Sequence, residues 1–370
     1  MVLATTIQTT LLRHSRTIDT ALRATLDAIA TRSGRPELAS YYGQMQYHLG
    51  WVDAEMKPVQ SNAGKLLRPT LLLLAYEATR AWEPANESPE NALRAALPAA
   101  VTVELGHNFT LIHDDIEDGD RERRHRPTLW TIWGIPQAIN SGDGMFALSR
   151  VALLDSLEQG VAPEVVLRLV ATFDQAILTI AEGQYLDISF ETRQDITEAM
   201  YIDMISRKTA ALIRCSIEMG AILGTHDERT IASLRDFGYA IGIAFQVRDD
   251  ILGVWASSAE LGKTAAGDVY RRKKSLPILH ALEHAESQDQ QTLRTIYQQT
   301  QPLSAEQVAE VLSIFERTHT RDHCRAFLAH HCQQARTLLA SIPAPEHPLA
   351  RQALNDMETI VDFIEEVAHA

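Results

Sequence analysis

Residues 104–126 read Glu-Leu-Gly-His-Asn-Phe-Thr-Leu-Ile-His-Asp-Asp-Ile-Glu-Asp-Gly-Asp-Arg-Glu-Arg-Arg-His-Arg, and the rest of the chain is organised around them. An apolar helical pattern runs into Asp114, Asp115, Glu117 and Asp118, and Arg121, Arg123, Arg124 and Arg126 follow closely. On a helix, Asp114 and Asp118 lie four apart on one face, with about 5–6 Å between their Cβ atoms. Two carboxylates so placed repel each other, which argues for a cation between them. A hard divalent cation takes oxygen ligands, and Mg2+ commonly combines one or two carboxylates with substrate phosphates. The arginines suit the same ligand, because a guanidinium fork matches phosphate geometry. Taken alone, such a charge run also reads as a solvated helix end.

Upstream, Glu104, His107, Leu111, Asp114 and Asp118 recur at three- and four-residue steps, which places them on one face of a helix predicted over about 91–118. A mostly polar stripe on an apolar helix lines a cavity, because unpaired buried polar groups are costly. Further helices are predicted at about 136–159, 163–190, 195–224, 227–255 and 348–369. The N-terminal 4–56 region is amphipathic, with a break near Ser33-Gly34-Arg35-Pro36, and a buried helix follows Gly64, its start carrying Lys65 and Arg68. No strand alternation, internal repeat or domain boundary is visible. The pattern therefore predicts an all-α fold, a single-domain helical bundle over 1–370 around a central cavity, with packing helices contributed by 1–60 and 280–370.

Composition narrows the function. The formal net charge of −14 argues against nucleic-acid binding, since phosphate backbones select basic surfaces. Within so acidic a chain, the clusters Arg121–Arg126 and Arg271-Arg272-Lys273-Lys274 are what a small anion would need. Three cysteines without paired spacing fit a reducing compartment, and no segment resembles a signal core or membrane span, so the expected location is cytoplasmic. His323-Cys324 and His330-His331-Cys332 are spaced more widely than structural zinc ligands and read as a packed helix face. Trp130 and Trp133 read as bundle packing, and Gly238 with Gly242 as a close helix contact.

A second acidic end settles the weighing. Phe245-Gln246-Val247-Arg248-Asp249-Asp250-Ile251-Leu252-Gly253 closes another long apolar helix and also precedes a basic cluster. Two such ends suit a clamp that holds a polyphosphate through bridging metal ions.

These features resemble the trans-isoprenyl diphosphate synthases of the polyprenyl synthetase family. The likeness spans about 64–277 and rests on ordered motifs. They are Gly64-Lys65-x-x-Arg68-Pro69, His107, Asp114-Asp115-Ile116-Glu117-Asp118, Arg123-Arg124, Gly183-Gln184-x-x-Asp187, Lys208-Thr209, Phe245-Gln246 with Asp249-Asp250, and Gly262-Lys263 followed by Asp268 and Lys273. What the resemblance implies is an isoprenoid-synthase-type bundle, usually a homodimer, condensing isopentenyl diphosphate with an allylic diphosphate such as dimethylallyl, geranyl or farnesyl diphosphate. It implies Mg2+, about three ions with diphosphate bound, held by Asp114, Asp118 and Asp249 with Asp115 and Asp250 in support. By the same likeness Arg123, Lys208, Thr209, Gln246, Lys263 and Lys273 address the allylic diphosphate and reaction centre, and Lys65, Arg68, His107 and Arg124 hold isopentenyl diphosphate.

The chain departs from the family pattern at Gly253, where a third aspartate is common, and at His125, where a glycine is common. Phe109, five residues before Asp114, and the small Thr110 resemble a geranylgeranyl diphosphate synthase and imply a C20 product, with Phe109 as pocket floor or as plain core packing. A terpene cyclase, which ionises one allylic diphosphate alone, is the alternative within this fold. A non-catalytic prenyltransferase subunit is a second, disfavoured because both acidic ends keep their aspartates.

Overall fold

The structure, a computed structural model, describes residues 2–59, 64–82, 89–256 and 266–369. The chain opens with α1 (Val2–Ser33) and α2 (Ala39–His48), separated where Gly34 takes φ +60° ahead of Pro36. Next come α3 (Leu67–Thr79), α4 (Pro89–Leu93) and α5 (Leu97–Glu117), then a two-strand hairpin pairing Glu122–Arg123 with Arg126–Pro127. After α6 (Leu129–Trp133) run the long α7 (Ile135–Leu154) and α8 (Pro163–Thr192), then α9 (Glu198–Ile205), a π turn over Ser206–Ala210, α10 (Ala211–Gly224) and α11 (Glu228–Trp255). The chain closes with α12 (Gly267–Tyr270), α13 (Leu276–His284), α14 (Ser287–Gln298), α15 (Ala305–Arg317), α16 (Thr320–Ala340) and α17 (Pro348–His369).

Helix α3 lies at the centre of the packing. Leu71, Leu72, Leu73 and Leu74 are all fully buried, so this helix is apolar on every side, as a helix surrounded by other helices must be. It packs on α10, α5 and α17, while α5 lies along α7 and α11 lies between α10 and α16. Small residues set these distances. Gly220 of α10 faces the Leu72 carbonyl, and a Cβ there would also lie 3.0 Å from the Ala75 Cβ. Gly238 and Gly242 of α11 similarly lie against Arg214 and Ala210, so the close-contact reading of both glycines holds. Local signals fix the helix starts: the Asp227 carboxylate caps α11 through the Arg229 and Thr230 N–H groups, and Ser304 with Gln307 forms a capping box on α15.

Three expected boundaries change. The helix expected over about 91–118 is two helices, because Pro98 belongs in a first turn and starts α5 anew. The helix expected over 195–224 starts at Glu198 and is interrupted by the π turn over Ser206–Ala210. The helix expected to reach 159 stops at Leu154 and gives way to turns. The charged loop after α5 is a hairpin whose turn residues Arg124 and His125 take φ 54° and 61°. No helix among the described residues is long and apolar enough to cross a membrane.

Because the Gly220 neighbour is a backbone carbonyl, a methyl group can be fitted only by parting α3 from α10. Gly220→Ala should therefore cost about 1–3 kcal/mol in chemical denaturation, the range for overpacking; a loss below about 0.5 kcal/mol, within the ordinary surface range, would contradict this packing.

Candidate active site

The first acidic end closes α5. Asp115 points inward, is buried, and accepts from Arg123 Nε at 2.6 Å, while Arg123 Nη2 lies 3.5 Å from Asp114. Burial pushes the Asp115 carboxyl up to about 6, against the pull of Arg123. Asp118 stands at the exposed rim, and burial of its inner side together with the nearby Asp114 charge pushes it up to about 6 as well. The π turn brings Lys208 to this end, with Nζ 3.1 Å from Asp114 and 2.6 Å from Asp187 of α8. Burial alone would lower the Lys208 ammonium, but Asp114 and Asp187 outweigh it and raise it. Gly183 permits this approach, since a Cβ there would collide with the Lys208 N and lie 2.8 Å from the Arg207 carbonyl carbon. Gln184 adds a tie from α8 by donating to Glu117 at 2.7 Å.

The second acidic end closes α11. Asp250 is fully buried and accepts from the Tyr201 hydroxyl at 2.5 Å, from the Gln246 amide at 3.1 Å and from the Leu276 N–H at 3.4 Å. Lys273 Nζ is 3.5 Å away. Burial raises both the Asp249 and the Asp250 carboxyl. Asp249 differs in facing outward, with Arg248 3.7 Å away and Lys273 and Lys65 also among the charges that act on it. Thr209, next to Lys208 on the π turn, donates to Gln246 at 2.9 Å and so links the two ends.

A third group lies between α3 and α5. Arg68 Nη1 is 3.0 Å from His107 Nε2. Burial draws the Arg68 guanidinium down to about 10, and burial with Arg68 and Arg124 drives the His107 imidazolium far below its ordinary range. A neutral His107 can therefore accept from the guanidinium. Buried Glu104 accepts from Asn108 at 2.8 Å and partly offsets the charges of Arg68 and Arg124. Gly64 takes φ +104°, a conformation that side chains rarely adopt, and lies against the Arg124 guanidinium, where a Cβ would fall 2.8 Å from Nη2. Lys65 is exposed, with its ammonium 5.8 Å from the Phe363 ring on α17.

The residues singled out from the sequence thus fall into three neighbouring groups, except for Lys263, which lies outside the described residues, and Phe109. The Phe109 ring sits on the α7 side of α5, 4.9 Å from that of Phe146. Sequence reasoning missed Tyr201, whose hydroxyl is the shortest contact to Asp250; an aromatic on an apolar helix carries no mark of that role. It named Asp187 without foreseeing its pairing with Lys208. Cys324 and Cys332 are buried and unpaired, as the packed-face reading had it, while His323 stacks on His280 at 4.0 Å. Among the described residues no three histidine, cysteine or carboxylate side chains converge as a ready-made metal cage.

Comparison with known proteins bears on this arrangement. The family profile described as polyprenyl synthetase matches residues 50–315. The chain belongs to the polyprenyl synthetase family. It is 36% identical over 308 residues to a (2E,6E)-farnesyl diphosphate synthase of Mycobacterium bovis, covering 83% of this chain and 82% of that one. To a geranylgeranyl diphosphate synthase of Mycobacterium tuberculosis it is 35% identical over 285 residues, covering 77% and 76%. A solved polyprenyl synthetase from Streptomyces coelicolor superposes with a TM-score of 0.82 at 32% identity, covering 96% of this chain and 99% of that one. This polyprenyl synthetase is accordingly a trans-isoprenyl diphosphate synthase, a transferase, and the likenesses lend no support to the cyclase alternative.

The raised Asp115 carboxyl has a consequence for stability. Its folded value of about 6 exceeds the ordinary 3.8, so the folded protein holds this proton more tightly than the unfolded chain does. The contribution is neutral below about pH 4, turns against folding as pH rises from about 4 to 6, and stays constant above. In metal-free protein, the melting temperature of wild type relative to Asp115→Asn should fall across that window; a flat difference would contradict it.

Proposed function

We propose that this polyprenyl synthetase condenses isopentenyl diphosphate with an allylic diphosphate, namely dimethylallyl, geranyl or farnesyl diphosphate, to give an all-trans prenyl diphosphate of C20. The observation that carries the reading is the separation of two cationic groups: Lys208 and Lys273 among the carboxylates, and Arg68 and Arg124 around His107 and Glu104. Two diphosphates can be held at once only if each has its own cations. The first group takes the allylic diphosphate, with Arg123, Thr209, Gln246 and Lys263. The second, with Lys65, takes isopentenyl diphosphate.

Mg2+ fits the donor set. Asp114, Asp118 and Asp249 offer hard oxygens and no soft ligand, which suits an ion that keeps phosphate and water oxygens among its ligands. These three would hold it, with Asp115 and Asp250 behind them. When bound, Mg2+ neutralises charge on the departing diphosphate.

The protein's own groups do the rest. Lys208 and Lys273 stay protonated at neutral pH because their carboxylate partners raise them, so both offer fixed positive charge where the leaving oxygen becomes negative. Neutral His107 and Arg68 orient the second diphosphate so that the isopentenyl double bond faces the allylic carbon. Carbon–carbon bond formation then requires proton loss, which the released diphosphate can accept. The apolar residues of α5, α7 and α8 keep water from the carbocation.

Phe109, packed on Phe146 one turn below Asp114, would limit the growing tail, with Thr110 leaving room beyond C15. Apolar side chains exposed on α7 and α8, including Ile139, Leu154, Leu178, Tyr185 and Ile188, suit pairing of two copies as a homodimer. The chain acts as one domain, and its free cysteines suit the cytoplasm.

Product chromatography after incubation with Mg2+, isopentenyl diphosphate and each primer tests the reaction. A C20 diphosphate is expected, and a cyclic hydrocarbon formed without isopentenyl diphosphate would overturn it. Asp114→Ala and Asp249→Ala should each lower turnover by about a thousandfold or more with the helical far-UV spectrum intact. Arg68→Ala should raise chiefly the KM for isopentenyl diphosphate; a rise confined to the allylic substrate would mean that the two sites are exchanged. Phe109→Ala should lengthen the product, and an unchanged product would return that ring to ordinary core packing.

A further inference from the structure

Gly253 lies in the last turn of α11, four residues after Asp249, and nothing in its backbone requires glycine: its φ is not among the positive values. Glycine inside a helix is unfavourable, so its presence points to something that needs the room. What takes the room is Asp268. A Cβ on residue 253 would lie 2.5 Å from the Asp268 Cγ and 3.0 Å from its Oδ1, with Oδ2 closer still. Asp268 is buried, although it comes from α12, on the far side of residues 257–265 in sequence.

Its contacts reach the site. Asp268 Oδ2 is 3.9 Å from Lys273 Nζ, which is also 3.5 Å from Asp250 Oδ1, and the Asp268 carbonyl accepts the Lys273 N–H at 2.9 Å. Arg271 holds the other carboxylate oxygen at 2.7 Å. Both Asp250 and Asp268 raise the Lys273 ammonium against its burial. With Asp268 absent, Asp250 at 3.5 Å would be the main carboxylate left beside that ammonium, with Asp187 and Asp249 acting from farther off.

We infer that Asp268 fills the space left by Gly253 and, paired with Asp250, positions Lys273 toward the allylic diphosphate. Asp268 is thus a positioning residue, and the glycine at 253 leaves the room that its carboxylate occupies. This rests on the proposed use of the second acidic end for that diphosphate.

The claim is a coupling between residues 253 and 268, so a double-mutant cycle tests it. Gly253→Ala, which thrusts a methyl into the carboxylate, and Asp268→Ala should each raise the KM for the allylic diphosphate by about tenfold, leaving that for isopentenyl diphosphate within about twofold. The double variant should be no worse than Asp268→Ala, because the methyl then has room. Calorimetric affinity for inorganic diphosphate with Mg2+ should follow the same pattern. Asp268→Asn, which keeps the shape, should reproduce the rise in KM with an unchanged melting temperature in EDTA, separating positioning from a folding defect. Additive penalties, or a silent Gly253→Ala, would overturn the inference. Asp249→Ala serves as the reference: if it keeps normal turnover, the reading of the second acidic end itself fails, whereas an inactive Asp249→Ala beside additive effects at 253 and 268 overturns the coupling alone.

Discussion

Close packing of like charge at the two acidic helix ends is the constraint on which the rest of the structure depends. Asp114, Asp115 and Asp118 cannot share the end of α5, nor Asp249 and Asp250 the end of α11, without cations nearby, and the fold supplies them from elsewhere in the chain. Lys208 bridges Asp114 and Asp187, Arg123 turns back from a hairpin onto Asp115, and Lys273 reaches Asp250. Each depends on a feature that costs something locally: a π turn packed on Gly183, positive φ at Arg124 and His125, and a glycine at 253. Irregular backbone of this kind clusters where function demands a fixed geometry.

The paired residues at each end do different work. Asp115 and Asp250 face inward and are satisfied by protein donors, which anchor the ends of α5 and α11. Asp118 and Asp249 face out, so a bound ligand can reach them without breaking the fold. The buried partner holds the helix end rigid, and the exposed one is left for a ligand. In the proposed reaction the cations that neutralise these carboxylates would turn to phosphate oxygens when a diphosphate binds.

Much of this was legible in the sequence, because helical periodicity and residue type together carry it. The stripe from Glu104 to Asp118 and the run ending at Asp249-Asp250 marked both ends. What was not legible depends on tertiary contact. The π turn inside an otherwise helical 198–224 pattern arises from packing on α8, and no local propensity announces it. Tyr201 looks like any core aromatic until Asp250 is placed opposite it. Gly253 read as a lost ligand, since only the structure shows Asp268 arriving from another helix to occupy the space. Pro98, by contrast, was a visible signal that the helix before the first acidic end begins at Leu97.

The central claim is that the carboxylates proposed to hold Mg2+ at both helix ends act together on one diphosphate through it. Calorimetric titration of inorganic diphosphate tests it most directly, in wild type, Asp114→Asn and Asp249→Asn, each with Mg2+ and with EDTA. The account predicts binding in wild type that needs Mg2+ and is lost when either aspartate is replaced. Equal affinity with and without Mg2+, or unchanged affinity in either variant, would contradict it.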